Sequence, residues 1–365
     1  MTFEKVKKNL GFGCMRLKMT DGKVDYNEFC AMIDEFLDAG FNYFDTAHGY
    51  IDGLSETAIR DCLSKRHNRD DFVLANKLSY WCFKNEEEII PLFEKQLELC
   101  GVEYFDFYLL HCLTKDSYEK HKACNSFEVL KKLKEQGRIK HIAASFHDTA
   151  EVLDKILSEQ PILEAIQLQL NYLDYDDPGV QSKACYDVAV KHGKSVIVME
   201  PVRGGALANL PDKAKEVFDC LGGGSYASYA LRYAASYPNV FMVLSGMGNM
   251  DMMRDNINTF ADFKPLSDEE TEACDRAREI IRKVRQVPCT ACGYCTNVCQ
   301  KEIPIPEILS VYNERLAAKI TCEEAMEKFP KGKPHVADCI KCGKCETVCP
   351  QSIEIRKHFA KILDW

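Results

Sequence analysis

The sequence predicts an α/β protein: a (β/α)8 TIM barrel followed by a small, cysteine-rich C-terminal domain. Two observations carry this prediction. Residues 1–265 alternate short apolar runs with amphipathic helical patterns eight times, and eight repeats in about 250 residues is the size of a TIM barrel. Eight of the nineteen cysteines fall into two tight groups after residue 288. An open, doubly wound sheet is the alternative, but Gly11-Phe12-Gly13 matches its Gly-rich first turn only in part.

The predicted strands are apolar on both faces, as in a parallel sheet that helices cover. They are Leu10–Leu17, Asn42–Thr46, Phe72–Leu78, Phe105–His111, His141–Phe146, Ala165–Asn171, Ser195–Glu200 and Val240–Ser245. The helical patterns are Glu28–Ala39, Ser55–Ser64, Glu86–Cys100, Ser126–Gln136, Thr149–Leu157, Val180–His192, Tyr226–Ser236 and Met250–Phe260. Ser55, followed by Glu56, is expected to cap the second helix. Glycines at 40, 101, 137 and 193 stand where helices are expected to end.

Beyond the barrel, residues 266–286 predict a charged helical linker, and residues 287–365 form the predicted C-terminal domain. An insertion at about 301–338 carries two helical patterns, Ile308–Leu316 and Glu323–Phe329. The last residues, Glu354 to Trp365, predict a closing amphipathic helix. We expect the insertion to pack on the barrel or to shape a surface for a partner.

The C-terminal cysteines have the spacing Cys-x2-Cys-x2-Cys-x3-Cys twice, and Pro350 follows the second run whereas Gln300 follows the first. In such runs three cysteines bind one 4Fe-4S cluster, and the fourth binds the other cluster. The first cluster is therefore predicted on Cys289, Cys292, Cys295 and Cys349, and the second on Cys299, Cys339, Cys342 and Cys345. Structural zinc is the alternative, because Cys-x2-Cys pairs also bind zinc.

Charge and hydropathy exclude several classes of function. The chain has 47 basic and 56 acidic residues, a net charge of −9, and nothing in that balance suggests a nucleic-acid or anionic-membrane partner, since both require a basic face. No apolar segment follows the first residues as in a signal peptide, and no apolar run is long enough to span a bilayer. So many free thiols suit a reducing, anoxic cytoplasm. We expect a cytoplasmic protein of an anaerobe.

Four polar side chains are predicted at the rim of the barrel. Asp45 and Tyr50 follow the second strand, Lys77 ends the third and His111 ends the fourth. TIM-barrel active sites lie at these strand ends. A lysine ammonium lowers the pKa of a nearby phenol, so that a tyrosine can protonate a carbonyl oxygen, and an aspartate would hold that lysine charged. The histidine can orient the carbonyl.

The segment Phe41-Asn42-Tyr43-Phe44-Asp45-Thr46-Ala47-x-x-Tyr50, followed by Gly53-x-Ser55-Glu56, resembles the aldo-keto reductase signature. The similarity runs through all eight repeats, and the C-terminal cysteines resemble the subgroup with an appended ferredoxin-like domain. The resemblance implies that Tyr50 is the general acid, that Lys77 and Asp45 tune it, and that His111 orients the substrate.

The same resemblance implies a nicotinamide cofactor across the barrel mouth. Its expected contacts are Ser145, Gln167, Met199, Arg203, Gly204, Gly246, Asn249, Asp255 and Asn256. Phe146 replaces the family's carboxamide-binding asparagine, and Met199 stands where many members stack a tyrosine. Gly246, Met247 and Met252 replace residues that bind the 2′-phosphate of NADPH. NADH is therefore expected to bind at least as well as NADPH, with FMN as a minority alternative.

The sequence thus predicts an oxidoreductase that acts on a small carbonyl or alcohol while two 4Fe-4S clusters exchange electrons with a ferredoxin or another electron-transfer protein. Hydride transfer moves two electrons and a cluster moves one, and a flavin normally joins the two. A flavin-linked reductase acting with ferredoxin is therefore one alternative. A redox-sensing or regulatory barrel with structural clusters is the other.

Overall fold

The computed structural model describes residues 3–221, 224–283, 287–317 and 319–365. Eight parallel strands close into a barrel, so the predicted fold class is confirmed. The strands are β1 (Leu10–Gly13), β2 (Tyr43–Asp45), β3 (Val73–Ser79), β4 (Phe105–Leu113), β5 (Ile139–Phe146), β6 (Ala165–Gln169), β7 (Ser195–Met199) and β8 (Val240–Ser245). Each pairs with the next along the chain, and β1 closes the barrel against β8.

The chain divides into two compact units. The first comprises Met1–Pro201 and Gly223–Thr271, and the second comprises Val202–Gly222 and Glu272–Trp365. A segment that follows β7 in sequence therefore groups with the C-terminal residues. The sequence predicts a barrel at 1–265, a linker at 266–286 and a C-terminal domain at 287–365, which places this segment within the barrel domain. These domain bounds stay a prediction.

The helices of the first unit follow the predicted alternation. They are Tyr26–Asp38, Leu54–Ile59 with a π-turn at Arg60–Ser64, Ile89–Cys100, Lys115–Ala123, Ser126–Glu135, Ala150–Glu159, Ser182–Lys191, Tyr226–Ala235 and Met250–Ala261. Lys115–Ala123 was not predicted, because the segment is mostly polar; Thr114 and Ser117 start it with a reciprocal capping box. A small hairpin, Met19–Thr20 and Lys23–Val24, was also not predicted.

The expected cap at Ser55 is wrong. The second helix begins at Leu54 after Gly53, which has a φ of 86°. The Ser55 hydroxyl instead donates to the carbonyl of Cys14 at 2.8 Å and lies 2.7 Å from the Thr46 hydroxyl. Its side chain therefore ties the loop after β2 to the end of β1.

Side chains that point into the barrel alternate along each strand, as the pleat requires. Toward the N-terminal ends of the strands they are apolar, and Phe3 packs among them. This inner cluster comprises Phe3, Tyr43, Val73, Ala75, Phe107, Leu109, Ala143, Ala165, Ile197, Met242 and Leu244. The next inward positions, one step toward the C-terminal ends, carry the polar side chains of the predicted site.

The second unit contains helices Asp212–Asp219, Tyr294–Asn297, Ile305–Leu316, Cys322–Lys328, Lys344–Thr347 and Ile355–Leu363. Helix Asp268–Lys283 runs across the boundary between the units, and the rest of the predicted linker, 284–286, lies outside the described residues. The core of this unit includes Ile308, Tyr312, Phe329, Phe359 and the cluster-run cysteines Cys295 and Cys345. Every described helix is too short or too polar to cross a bilayer.

Candidate active site and cluster-binding cysteines

The strand register brings three predicted residues to one end of the barrel interior. Asp45 ends β2 opposite Ala75 of β3, so Lys77 lies one inward step further along, and His111 pairs with Ser79. Tyr50 begins a tight turn within the loop that follows β2. Ile51, Asp52 and Gly53 in this turn all have positive φ. Strained backbone of this kind persists where the surrounding structure holds it, often at functional sites.

Lys77 and Asp45 form a buried ion pair. The Lys77 Nζ donates to Asp45 Oδ1 at 2.6 Å and to the carbonyl oxygen of Thr46 at 2.7 Å, and both side chains are at most 4% exposed. Burial lowers the pKa of Lys77 and raises that of Asp45, while each partner offsets the shift of the other. Two acceptors around the ammonium favour keeping the proton on Nζ.

Tyr50 lies beside this ammonium. The Lys77 Nζ stands 4.8 Å from the centre of the Tyr50 ring, and that ring is 5.9 Å from the ring of His111 in an edge-on arrangement. Tyr50 is 8% exposed. The structure therefore brings all four predicted rim residues together, although their roles stay predictions.

His111 has partners that the sequence reasoning did not include. Its Nδ1 lies 2.7 Å from the Ser79 hydroxyl, and the ring of Trp81 is 5.0 Å away. Burial, and next the positive charge of Lys77, hold the pKa of His111 well below its usual value, so the ring is neutral near pH 7. Ser79 could have been found by the strand period, since it lies two residues after Lys77.

The side of the mouth formed by β5 and β6 has one acceptor suited to a carboxamide. Gln167 is 3% exposed, and its Oε1 has no hydrogen-bond partner among the described residues. An unpaired buried acceptor is costly, and a carboxamide N–H would satisfy it. This residue therefore fits a nicotinamide. Ser145 is already engaged, because its hydroxyl accepts the backbone N–H of Cys112 at 2.7 Å. Phe146 is buried.

Near the end of β8 the structure places a cation that the sequence reasoning missed. The Arg16 side chain covers Gly246, so that a Cβ there would lie 3.2 Å from Arg16 Cδ. Its guanidinium bonds Glu200 at 2.8 Å, and Glu200 has a φ of 54°. Met199, just before Glu200, is half-buried. No sequence pattern links residues 16 and 246; only barrel closure does.

Three further predicted cofactor contacts are already hydrogen-bonded. Asn249 caps the helix Met250–Ala261 through the backbone N–H of Met252, at 2.9 Å. Asp255 accepts from the Ser225 hydroxyl at 2.6 Å, and Asn256 donates to the Ser245 hydroxyl at 2.8 Å. These bonds fix the start of that helix and the end of β8. A cofactor role for the three residues stays a prediction.

Arg203 and Gly204 belong to the second unit rather than to the barrel unit. Gly204 has a φ of 62°, and a Cβ there would lie 2.5 Å from the carbonyl oxygen of Thr290. Only glycine fits so close an approach. The predicted contact of Arg203 and Gly204 with a pyrophosphate is not tested. What the structure adds is the packing of Gly204 against Thr290, which follows Cys289, the first cysteine of the first run.

The structure groups four of the eight C-terminal cysteines around one pocket. Cys299, Cys339, Cys342 and Cys345 line it, so a cysteine of the first run joins three of the second. Burial raises the pKa of the Cys295 thiol, and the thiols of Cys292, Cys289, Cys349 and Cys345 raise it further. Cys349 and Cys345 of the second run therefore both lie near the first run. The crossed assignment of ligands to two 4Fe-4S clusters stays a prediction.

Backbone N–H groups already point at the sulfurs. The N–H of Ala291 donates to Cys289 Sγ and that of Lys341 to Cys339 Sγ, both at 3.4 Å. Within the described parts of the chain, no three His, Cys, Asp or Glu side chains form a group that could hold a single metal ion. Thiols that accept backbone N–H groups are the kind of donor set that an iron–sulfur cluster uses.

Comparisons with known proteins agree with both units. Residues 9–279 match the aldo/keto reductase family, and residues 288–354 match a 4Fe-4S dicluster domain. The uncharacterized oxidoreductase YqkF of Bacillus subtilis is 25% identical over 297 residues, 72% of this chain and 90% of YqkF.

Solved structures share the barrel. The holo form of the aldo-keto reductase AKR11C1 from Bacillus halodurans is 26% identical, with a TM-score of 0.63 over 74% of this chain and 92% of that one. An aldo/keto reductase from Klebsiella pneumoniae, solved with NADP and acetate, is 19% identical, with a TM-score of 0.60 over 73% of this chain and 90% of that one, and it supports the fold alone. The chain belongs to the aldo/keto reductase family and carries a C-terminal 4Fe-4S dicluster domain.

Proposed function

We propose that the barrel reduces a small carbonyl compound, or oxidises the corresponding alcohol, with Tyr50 as the general acid. The observation that carries this proposal is the position of the Lys77 ammonium, held by Asp45 at 2.6 Å and lying 4.8 Å from the Tyr50 ring. A cation in a buried site stabilises the negative charge that forms on the phenolic oxygen when its proton leaves. A purely regulatory barrel would not need this arrangement.

In the reduction, the carbonyl carbon would accept a hydride, which is the chemistry that a nicotinamide held at Gln167 would supply. Tyr50 donates its proton to the carbonyl oxygen, which yields the alcohol. His111 is buried and neutral, and its Nδ1 is bonded to Ser79. If Ser79 donates to Nδ1, the ring proton lies on Nε2 and that N–H can orient the carbonyl. Trp81, 43% exposed, forms an aromatic side of the same mouth.

The test is to measure carbonyl reduction by the cluster-loaded chain with NADH, NADPH and reduced viologen. Tyr50→Phe is expected to lower kcat by about 10²–10⁴-fold while iron and sulfide contents stay unchanged. Tyr80→Phe is the matched control, because it removes a phenolic hydroxyl from the neighbouring loop. Tyr50→Phe activity within a few-fold of the unmodified chain would place the chemistry elsewhere and favour a regulatory barrel.

For the cofactor, we propose a nicotinamide whose carboxamide is bound by Gln167, with NADH bound at least as tightly as NADPH. Gly246, Met247 and Met252 offer no cation to a 2′-phosphate, and the nearby Arg16 is ion-paired with Glu200. An anion would have to compete with that carboxylate. Calorimetric titration with NADH, NADPH and FMN tests the order: selective NADPH binding contradicts it, and FMN binding would favour the flavin-linked alternative.

The two clusters are proposed to exchange single electrons with an external electron carrier. The two runs of four cysteines support two clusters rather than one. Anaerobic reconstitution should then give about eight iron and eight sulfide per chain. About two zinc and no iron would contradict the cluster assignment.

A further inference from the structure

The two cysteine runs have equivalent ligands but different surroundings. Each position of the second run lies 50 residues after its counterpart, as Cys339 does after Cys289. Thr290 is 4% exposed and packs against Gly204, whereas its counterpart Ile340 is 52% exposed. Cys342 is exposed as well, while its counterpart Cys292 is half-buried. The second run is therefore the more open of the two.

The side chains that line the pocket at the second run carry positive charge. The charged residues among the described ones that line it are Lys301, Lys344 and Arg356. Their counterparts around the first run are Gln351, Tyr294 and Pro306, none of which is charged. The exposed acids Glu302 and Asp338 adjoin Lys301 and Cys339 in sequence, so the excess of positive charge belongs to the pocket lining and not to every residue around it.

Three lysines carry this excess. Arg356 is ion-paired with Glu346 at 2.6 Å, which compensates its charge. Lys301, Lys341 and Lys344 are exposed and form no ion pair with any residue in the described ranges. Exposed charges of this kind steer an oppositely charged protein over distances of about 10 Å at 0.1 M salt.

We propose that Lys301, Ile340, Lys341 and Lys344, together called the lysine face, dock an acidic one-electron carrier protein at the second cluster. The proposal rests on the proposed electron exchange and adds the surface, the cluster and the charge of the partner. Transient electron-transfer complexes bury small interfaces, and charge complementarity speeds their formation. Ile340 supplies the apolar contact within the basic surround. The carrier loses or gains one electron, and the cluster gains or loses it.

The experiment uses the full, cluster-loaded chain and fully reduced flavodoxin, an acidic flavin carrier whose semiquinone has its own absorbance. The second-order rate of semiquinone formation is followed anaerobically in a stopped-flow instrument at several salt concentrations. Lys341→Glu/Lys344→Glu is expected to lower this rate at least about tenfold at low salt and to flatten its salt dependence. The control Lys213→Glu/Lys331→Glu makes the same change in net charge at exposed lysines outside the face.

Reduced methyl viologen separates docking from effects on the cluster, because this small cation does not depend on attraction to the lysine face. Its rate should not fall in the lysine-face variant. Equal losses with flavodoxin and viologen, equal losses in both double variants, or no loss at low salt would each overturn the proposal. If the double variant fails to retain its iron, Lys301→Glu replaces it in the same measurement. Lys301 follows the first run in sequence, so this change leaves the second run unaltered.

Carbonyl turnover with NADH is measured on the same preparations. If no carbonyl is turned over, the proposed barrel chemistry fails, but the flavodoxin rates still decide the docking surface. If carbonyl activity is normal but the flavodoxin rate does not depend on the charge of the lysine face, the docking proposal fails and the barrel chemistry stands. The two failures are therefore distinguishable.

Discussion

Replacing Lys77 by methionine tests the electrostatics of the site most directly. Methionine is close to lysine in length, so the change removes mainly the ammonium and its bonds to Asp45 and Thr46. With 4.8 Å between Nζ and the Tyr50 ring centre taken as the charge separation, an effective dielectric constant of about 20 gives about 3.5 kcal/mol. If the phenolic oxygen carries a full charge in the transition state, this corresponds to about 400-fold in rate.

Two effects lower that figure. Asp45 is left buried without its partner, and burial already raises its pKa. Lys77→Met should therefore leave Asp45 protonated, which spares the site an unpaired negative charge. A partial charge on the phenol would lower the electrostatic effect. We expect kcat to fall by about 10²-fold.

The assay is steady-state carbonyl reduction by the cluster-loaded chain over pH 6–9, with kcat and KM determined separately. Lys5→Met is the matched control, because it removes a lysine whose partner, Asp106, lies outside the rim set. Thermal unfolding of both variants shows whether loss of activity reflects loss of fold. A kcat for Lys77→Met within about fivefold of the unmodified chain, with the fold intact, would refute the reasoning.

Three further predictions concern single side chains. Ser79→Ala should lower kcat about tenfold with little change in KM, because it loses one hydrogen bond that orients the rim histidine; Ser79→Thr should restore activity. Cys349→Ser should remove the electron paramagnetic resonance signal of the first cluster, whose other ligands lie 54–60 residues upstream; loss of the second signal instead would refute crossed ligation. Gly204→Ala should lower the iron content from about eight toward four, since its Cβ would meet the Thr290 carbonyl. Gly205→Ala, which shares the positive φ but meets nothing within 4 Å, should not.

Patterns that repeat along the chain made most of the fold predictable. All eight strands were predicted, because buried parallel strands are short apolar runs at regular intervals. The 4Fe-4S dicluster domain was predictable from spacing alone, since two such runs of four cysteines are typical of paired 4Fe-4S clusters. Helix Lys115–Ala123 was missed because it is polar, with only three buried residues, so it lacks an apolar period.

The parts of the site that could not be predicted depend on tertiary closure. Arg16 reaches Gly246 only because β1 pairs with β8, a contact across more than 200 residues. The packing of Gly204 on Thr290 is also remote in sequence. Ser79 is different, because the strand period was available and pointed to it. The prediction for Ser55 failed because a hydroxyl near a helix start can bond partners outside the helix.

The grouping of Val202–Gly222 with the C-terminal residues has a consequence for how this chain can be cut and recombined. A truncated chain ending at Thr271 would keep that segment but remove the residues with which it is grouped. Leu207, Leu210 and Phe218, all at most 3% exposed in the intact chain, lie in it. Exposed apolar side chains of this kind favour aggregation. The C-terminal domain therefore cannot be moved to another barrel by exchanging the C-terminal residues alone. Residues that group with it, Val202–Gly222, lie in the sequence between two repeats of the barrel.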